Sequence, residues 1–231
     1  MRQVIVAHST VADGSMLNRE HPFDAQVFAH RNRWLAASGI PIKSTYRVCL
    51  NYGNNKDFCR YREVLARDTP ADTADVANRE ADALITTQPG QALFLPLADC
   101  IGAVLFDEAH GVLMLSHLGR HSLEQNGGVR SVEHLVSAYG TNPEDLKVWM
   151  SAAVGKDSYK IFALGNKGMK EAAFEQFAAA GMRPQNIQDT PFDTAQDSRY
   201  YSHSEFLKGN RTDNGRHAIV AMMHDEPISM V

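Results

Sequence analysis

A chain of 231 residues, 44% of them hydrophobic, is long enough to bury a full core as one large domain. Its formal charge of -4, with lysines and arginines scattered along the chain, excludes a dedicated nucleic-acid binder, which needs a concentrated basic face. No apolar run is long enough to span a bilayer, so the sequence predicts a cytoplasmic protein without a membrane partner, acting on a small molecule.

In chain order, the opening Val4-Ile5-Val6-Ala7 is too short for the apolar stretch of a secretory signal. Asp24 can cap a helix reaching Ser38, because Val27, Phe28, Arg31, Trp34 and Leu35 recur at helical spacing and Gly39 with Pro41 stops the pattern. Thr45 to Leu50 reads as a strand, and Thr69 to Asp75 as a polar loop or weak helix. From Ala83 the chain changes character. Short apolar runs at Leu84-Ile85-Thr86, Ala92 to Leu97, Ala103 to Phe106 and Val112 to Ser116 predict a packed sheet with tight connections. Val129, Val132, Leu135, Val136 and Tyr139 mark a helix ending at Gly140. Leu146 to Val154 reads as a buried strand, Met169 to Ala180 as a helix closed by Gly181, and Arg199 to Phe206 and His217 to Met223 as two final strands. No repeat or linker divides the chain, so one α/β domain over 1–231 is expected.

The chemistry concentrates where two apolar runs end, in Leu97-Ala98-Asp99-Cys100 and Ser116-His117-Leu118-Gly119. A thiolate and a neutral imidazole placed at the rim of a sheet are what a zinc or copper site needs. Cys49, Cys59 and Cys100 form an odd, sparse set that fits a reducing compartment, leaving Cys100 a free thiol or a ligand. His121 is a candidate third ligand, although Gly119 and the strand before it argue against a helix carrying both His117 and His121 on one face. No His-x-His pair supports a multicopper cluster, and His203-Ser204-Glu205 lacks the Pro-Cys-x-x-Cys that a zinc nucleobase deaminase requires. Neither a phosphate-binding P-loop nor a dinucleotide fingerprint occurs. Asn214-Gly215-Arg216 combines a turn with a guanidinium that can hold a phosphate or carboxylate.

Taken together, Ala81-Asp82-Ala83-Leu84-Ile85-Thr86, Leu97-Ala98-Asp99-Cys100, His117-Leu118-Gly119 and Val154-Gly155-Lys156-Asp157-Ser158-Tyr159 carry a resemblance. The set resembles the bacterial laccase-domain family, also called polyphenol oxidase or peptidoglycan editing factor proteins, whose animal relatives are purine nucleoside enzymes. Ser15-Met16-Leu17-Asn18, Asn32-Arg33, Tyr200-Tyr201-Ser202 and Gly215-Arg216 extend it over nearly the whole chain. The resemblance implies a four-layer α/β/β/α sandwich of mixed sheets and a mononuclear zinc site made by two His and one Cys. Cys100 and His117 match two of these ligands. The third, the His of a Gln-Val-His-Gly strand end, falls on Leu50-Asn51-Tyr52-Gly53, where Tyr52 replaces it. The family's His-Ala-Gly-Trp-Arg-Gly becomes His117-Leu118-Gly119-Arg120-His121-Ser122, and its Gly-Pro-x-Ile-Gly becomes Ser151-Ala152-Ala153-Val154-Gly155.

What the resemblance implies is a metal-dependent enzyme acting on purine nucleosides, by phosphorolysis or deamination. Zinc, or copper, would be held by Cys100, His117 and His121. Arg120 would hold an anionic oxygen, and Asn18, Tyr52 and Arg216 would contact a nucleoside or phosphate. Because a phenol binds zinc weakly unless ionised, the Tyr52 substitution leaves open another third ligand, loose binding or loss of the metal. Two alternatives stand beside it: a hydrolase with Cys100 as nucleophile and His117 as base that edits a peptidoglycan precursor, and a non-catalytic nucleoside-binding protein. Phenol oxidation ranks below these, since a lone copper cannot easily manage four-electron oxygen reduction. A monomer or weak homo-oligomer is expected.

Overall fold

The computed structural model describes residues 2–21, 24–53, 56–65, 67, 68, 70 and 80–225. The first half of the chain forms β1 (Gln3–His8), α1 (Ala25–Ala37), β2 (Thr45–Arg47), β3 (Tyr61–Glu63), β4 (Ala83–Thr86), β5 (Ala92–Leu97), β6 (Ile101–Asp107) and β7 (Val112–Leu118). Then follow α2 (Arg120–Glu124), α3 (Gly127–Tyr139), β8 (Lys147–Met150), α4 (Met169–Ala179), β9 (Ile187–Asp189), α5 (His203–Leu207) and β10 (His217–His224). Both sheets are mixed: one runs β1-β10-β5-β2 and the other β3-β4-β7-β6-β8-β9.

The alternation of side chains across a strand explains the layers. In β10, Ala218, Val220 and Met222 face α1, where they meet Trp34, Leu35 and Phe94 of β5. The intervening Ile219, Ala221 and Met223 face the other sheet, packing with Leu93 and Leu95 of β5 and with Leu113 and Leu115 of β7. On the far side of the six-stranded sheet, Ala103, Leu105 and Met114 pack beneath Leu135 of α3 and Phe177 of α4. Each central strand is therefore buried on both faces, which is why it reads as an unbroken apolar run. The order is α1, sheet, sheet, then α3 and α4: the four-layer α/β/β/α sandwich that was expected. Gly102 lets the sheets approach, since a Cβ there would lie 2.5 Å from Ile219 Cγ2.

Asp24 caps α1 as anticipated, its carboxylate accepting from the Gln26 and Val27 backbone N–H groups at 2.9 and 3.4 Å. Three readings change. Arg199 to Phe206 is not a strand: Ser202 caps α5 by accepting from the Glu205 N–H at 3.3 Å, so the local capping signal prevails over the aromatic run. The strand read over Leu146 to Val154 stops at Met150, where Ser151 turns its N–H to Gly102 O and Val154 turns its own to Asp99 O. The strand read over Thr45 to Leu50 keeps Thr45–Arg47, beyond which Cys49 makes an isolated bridge to Glu80. Most of the loop expected over Thr69 to Asp75 lies outside the described residues. No described helix is long and apolar enough to cross a membrane.

Candidate active site

The chain crosses from one sheet to the other between β5 and β6, at Ala98, Asp99 and Cys100. Asp99 makes the crossing in the left-handed region, with φ of 76°. Its buried carboxylate holds the turn by accepting from Thr194 Oγ1 at 2.8 Å and from the Ser204 N–H, at the start of α5, at 2.6 Å. His117 lies inside β7, paired with Gly102, rather than in a loop after the strand. Its N–H donates to Asp82 O at 2.8 Å. As expected, no helix carries both histidines: His117 is in β7, and a short helix, α2, starts only after Gly119 and carries His121.

These elements enclose a cavity of about 390 Å³, lined by Cys100, His117, Arg120, His121, Tyr52 and Arg216, so six of the seven residues singled out from the sequence meet there. Gly119 marks their meeting point. A Cβ on it would stand 2.7 Å from His117 Cε1, 3.1 Å from His117 Nε2 and 3.1 Å from Cys100 Sγ, so only glycine leaves room between thiol and imidazole. The seventh, Asn18, belongs to an adjoining cavity. Its amide donates to Asp24 at 2.9 Å, and its carbonyl accepts from the Glu20 and His21 N–H groups. Arg19, one residue further on, lines both cavities, and places its guanidinium 5.3 Å from the centre of the Tyr52 ring.

Burial, reinforced by the Asp99 carboxylate, pushes the Cys100 thiol up to about 12, and burial followed by Arg19 and His121 lowers His117 to about 4. Both groups are neutral at pH 7. Tyr52 is 42% exposed, yet its hydroxyl turns inward to lie 3.4 Å from His117 Nε2. Desolvation holds that phenol well above its ordinary range. Arg216 is buried with Nη1 donating to Asn214 O, Asn214 Oδ1 and Gly215 O at 2.7 to 2.9 Å. Burial and the neighbouring Arg19 charge lower its pKa to about 10. Arg120 approaches His121 Nε2 at 3.1 Å and Glu124 at 3.4 Å, while the His121 ring stacks on Phe58 at 4.6 Å.

The zinc that the resemblance implies requires three protein ligands and an open position. Cys100 and His117 are suitable donors facing one point, but the third donor beside them is a phenol that holds its proton. No group of three His, Cys, Asp or Glu side chains able to hold a metal occurs among the described residues. The donor set falls one strong ligand short.

The profile of the family described as multi-copper polyphenol oxidoreductase laccase matches residues 15–174, so the chain belongs to that family. Its relatives include a protein of Corynebacterium glutamicum named a purine nucleoside phosphorylase, 34% identical over 94 residues, which are 41% of this chain and 37% of that protein. A Mycobacterium tuberculosis protein of the same name is 27% identical over 137 residues, covering 59% of this chain and 50% of that one. The chain thus spans about half or less of these curated relatives. Among solved structures, the Bacillus licheniformis hypothetical protein YfiH superposes with a TM-score of 0.79 at 18% identity, covering 95% of this chain and 92% of that chain. YlmD of Geobacillus stearothermophilus gives 0.74 at 19% identity, covering 86% and 80%. Both establish the fold.

Sequence reasoning missed Arg19, Phe58 and Ser204 as cavity residues. Arg19 directly follows the Ser15 to Asn18 segment that was singled out, so a signal existed one residue away. Ser204 stands in the His203-Ser204-Glu205 motif that was set aside for want of a Pro-Cys-x-x-Cys, and Phe58 carries no signal, because the loop bearing it reaches the site only through tertiary packing.

Proposed function

We propose that the chain binds a purine nucleoside together with phosphate in the Cys100–His117 cavity and cleaves the glycosidic bond by phosphorolysis. The observation that carries this reading is the convergence in one cavity of two adjacent guanidiniums, Arg19 and Arg216, with the aromatic side chains of Tyr52, Phe58 and Tyr159. A cavity of about 390 Å³ suits a ligand of nucleoside size. Flat aromatic walls suit a purine, and paired guanidiniums suit a phosphate more than any neutral group. In the reaction a phosphate oxygen bonds to the anomeric carbon as the carbon–nitrogen bond breaks, and the base leaves with the electron pair and takes up a proton. Arg19 and Arg216 would orient the phosphate and offset the charge concentrated beside the sugar. The names of the relatives support this choice of substrate.

Phosphorolysis is preferred to deamination because the guanidinium pair suits an anion rather than the neutral water that deamination consumes. The cysteine-hydrolase reading is disfavoured because burial and the Asp99 carboxylate keep the Cys100 thiol neutral, and the thiolate is the nucleophile. The test is chromatographic. Inosine, adenosine and guanosine are incubated with the protein in phosphate and, separately, in a phosphate-free buffer. Free base released only with phosphate is the expected result; no base from any nucleoside, or release independent of phosphate, would overturn it.

A further inference from the structure

We infer that Tyr52 occupies the third-ligand position of a former zinc site, leaving Cys100 and His117 a two-donor pair that does not retain the metal. The inference concerns the same cavity as the nucleoside reading but rests on its donors alone, so each can fail without the other.

The His, Cys and Asp side chains lining the cavity are Asp99, Cys100, His117, His121 and His203. The edge of His117 facing Cys100 is the one carrying Cε1 and Nε2, as the contacts around Gly119 define it. That Nε2 is the nitrogen a metal shared with Cys100 would use, and it already meets the Tyr52 hydroxyl at 3.4 Å. No third His, Cys, Asp or Glu side chain joins Cys100 and His117 in a group able to hold a metal among the described residues. His121 turns Nε2 to the Arg120 guanidinium and stacks its ring on Phe58. His203 directs Nδ1 to Asn214 Oδ1 at 2.9 Å. Both carboxylate oxygens of Asp99 are committed, one to Thr194 and the other to the Ser204 N–H. A phenol is not among the side chains that zinc sites draw on, so two strong ligands remain where zinc needs three.

A histidine at position 52 should therefore rebuild the site. Tyr52 is 42% exposed, so replacing it does not empty the core. The experiment uses untagged full-length protein, equilibrated with zinc, freed of excess metal and analysed by elemental mass spectrometry. The parent chain, Cys100→Ala, His117→Ala, Tyr52→His, Tyr52→Cys and the double variant Tyr52→His/Cys100→Ala are compared, with circular dichroism to confirm each fold. Tyr52→Cys supplies a smaller ligand should the histidine variant misfold. Cobalt substitution gives a second readout through its thiolate charge-transfer absorption.

The expected result is well under about one tenth of a zinc per parent chain. Tyr52→His or Tyr52→Cys should hold about one, lost in the double variant, with the cobalt–thiolate band present only where zinc binds. About one zinc per parent chain, removed by Cys100→Ala and by His117→Ala, would overturn the inference. So would folded Tyr52→His and Tyr52→Cys proteins that both remain metal-free, since Tyr52 would then not mark the third-ligand position.

Discussion

At the residue scale, the site depends on two side chains that burial keeps neutral. A thiol raised to about 12 holds almost no thiolate at physiological pH, and the thiolate is the reactive species. We expect Cys100 to be alkylated by iodoacetamide at pH 8 more than about tenfold more slowly than a free cysteine, as read by peptide mass spectrometry over time. Rapid labelling in the folded protein would revive the nucleophile reading. Arg19 bears on the anion. Its removal by Arg19→Ala should weaken phosphate binding about tenfold while leaving the melting temperature nearly unchanged, and equal affinity in the two proteins would remove Arg19 from the site. Much of the site was legible residue by residue, because Cys100, His117, Tyr52 and Arg216 stand in ordered short motifs. Arg19 was not, because its guanidinium acts at the end of a long side chain that no local pattern aims.

At the element scale, the crossing from β5 to β6 and the start of α5 form one unit through the Asp99 carboxylate. Gly119, between β7 and α2, sets the space this unit encloses. Gly119→Ala would place a methyl against both His117 and Cys100, costing about 1–3 kcal/mol of stability if the site must repack. We expect at least about a tenfold loss of nucleoside affinity with an unchanged far-ultraviolet spectrum; full affinity would show that the ligand binds elsewhere. The elements best read from sequence were the doubly buried strands and the helices ended by Gly140 and Gly181, where periodicity and punctuation agree. The strands read over Thr45 to Leu50 and Leu146 to Val154 prove shorter, and the element whose type was misread is α5. Buried Tyr200 and Tyr201 gave it the look of a strand, whereas the Ser202 to Glu205 spacing carried the helix signal. β3 and β9, three residues each, were missed because they pair at sheet edges with too few positions to show alternation.

At the scale of the whole molecule, two sheets share one interior, and this core sets how stability responds to pH. His8 and His217 lie outside the candidate chemistry and are lowered by burial from 6.5 to about 4 and about 3. The unfolded chain takes up these protons first, so the stability that depends on both imidazoles remaining neutral is fully present above pH 6.5. It is lost as pH falls from 6.5 through about 4 for His8 and through about 3 for His217, at up to about 1.4 kcal/mol per pH unit for each histidine. Urea midpoints should be flat from about pH 8 to 6.5 and then decline, and the slope should be shallower in His217→Phe. A single unfolding transition is also expected, since both sheets contribute to the same interior. The central question is whether the cavity at the sheet-to-sheet crossing takes a purine nucleoside with phosphate. Calorimetric titration of inosine into the parent protein, with and without phosphate, asks it directly. Saturable binding that phosphate tightens, and that Gly119→Ala weakens at least about tenfold, is the result expected; no saturable heat, or binding indifferent to both phosphate and the alanine, would contradict the nucleoside reading.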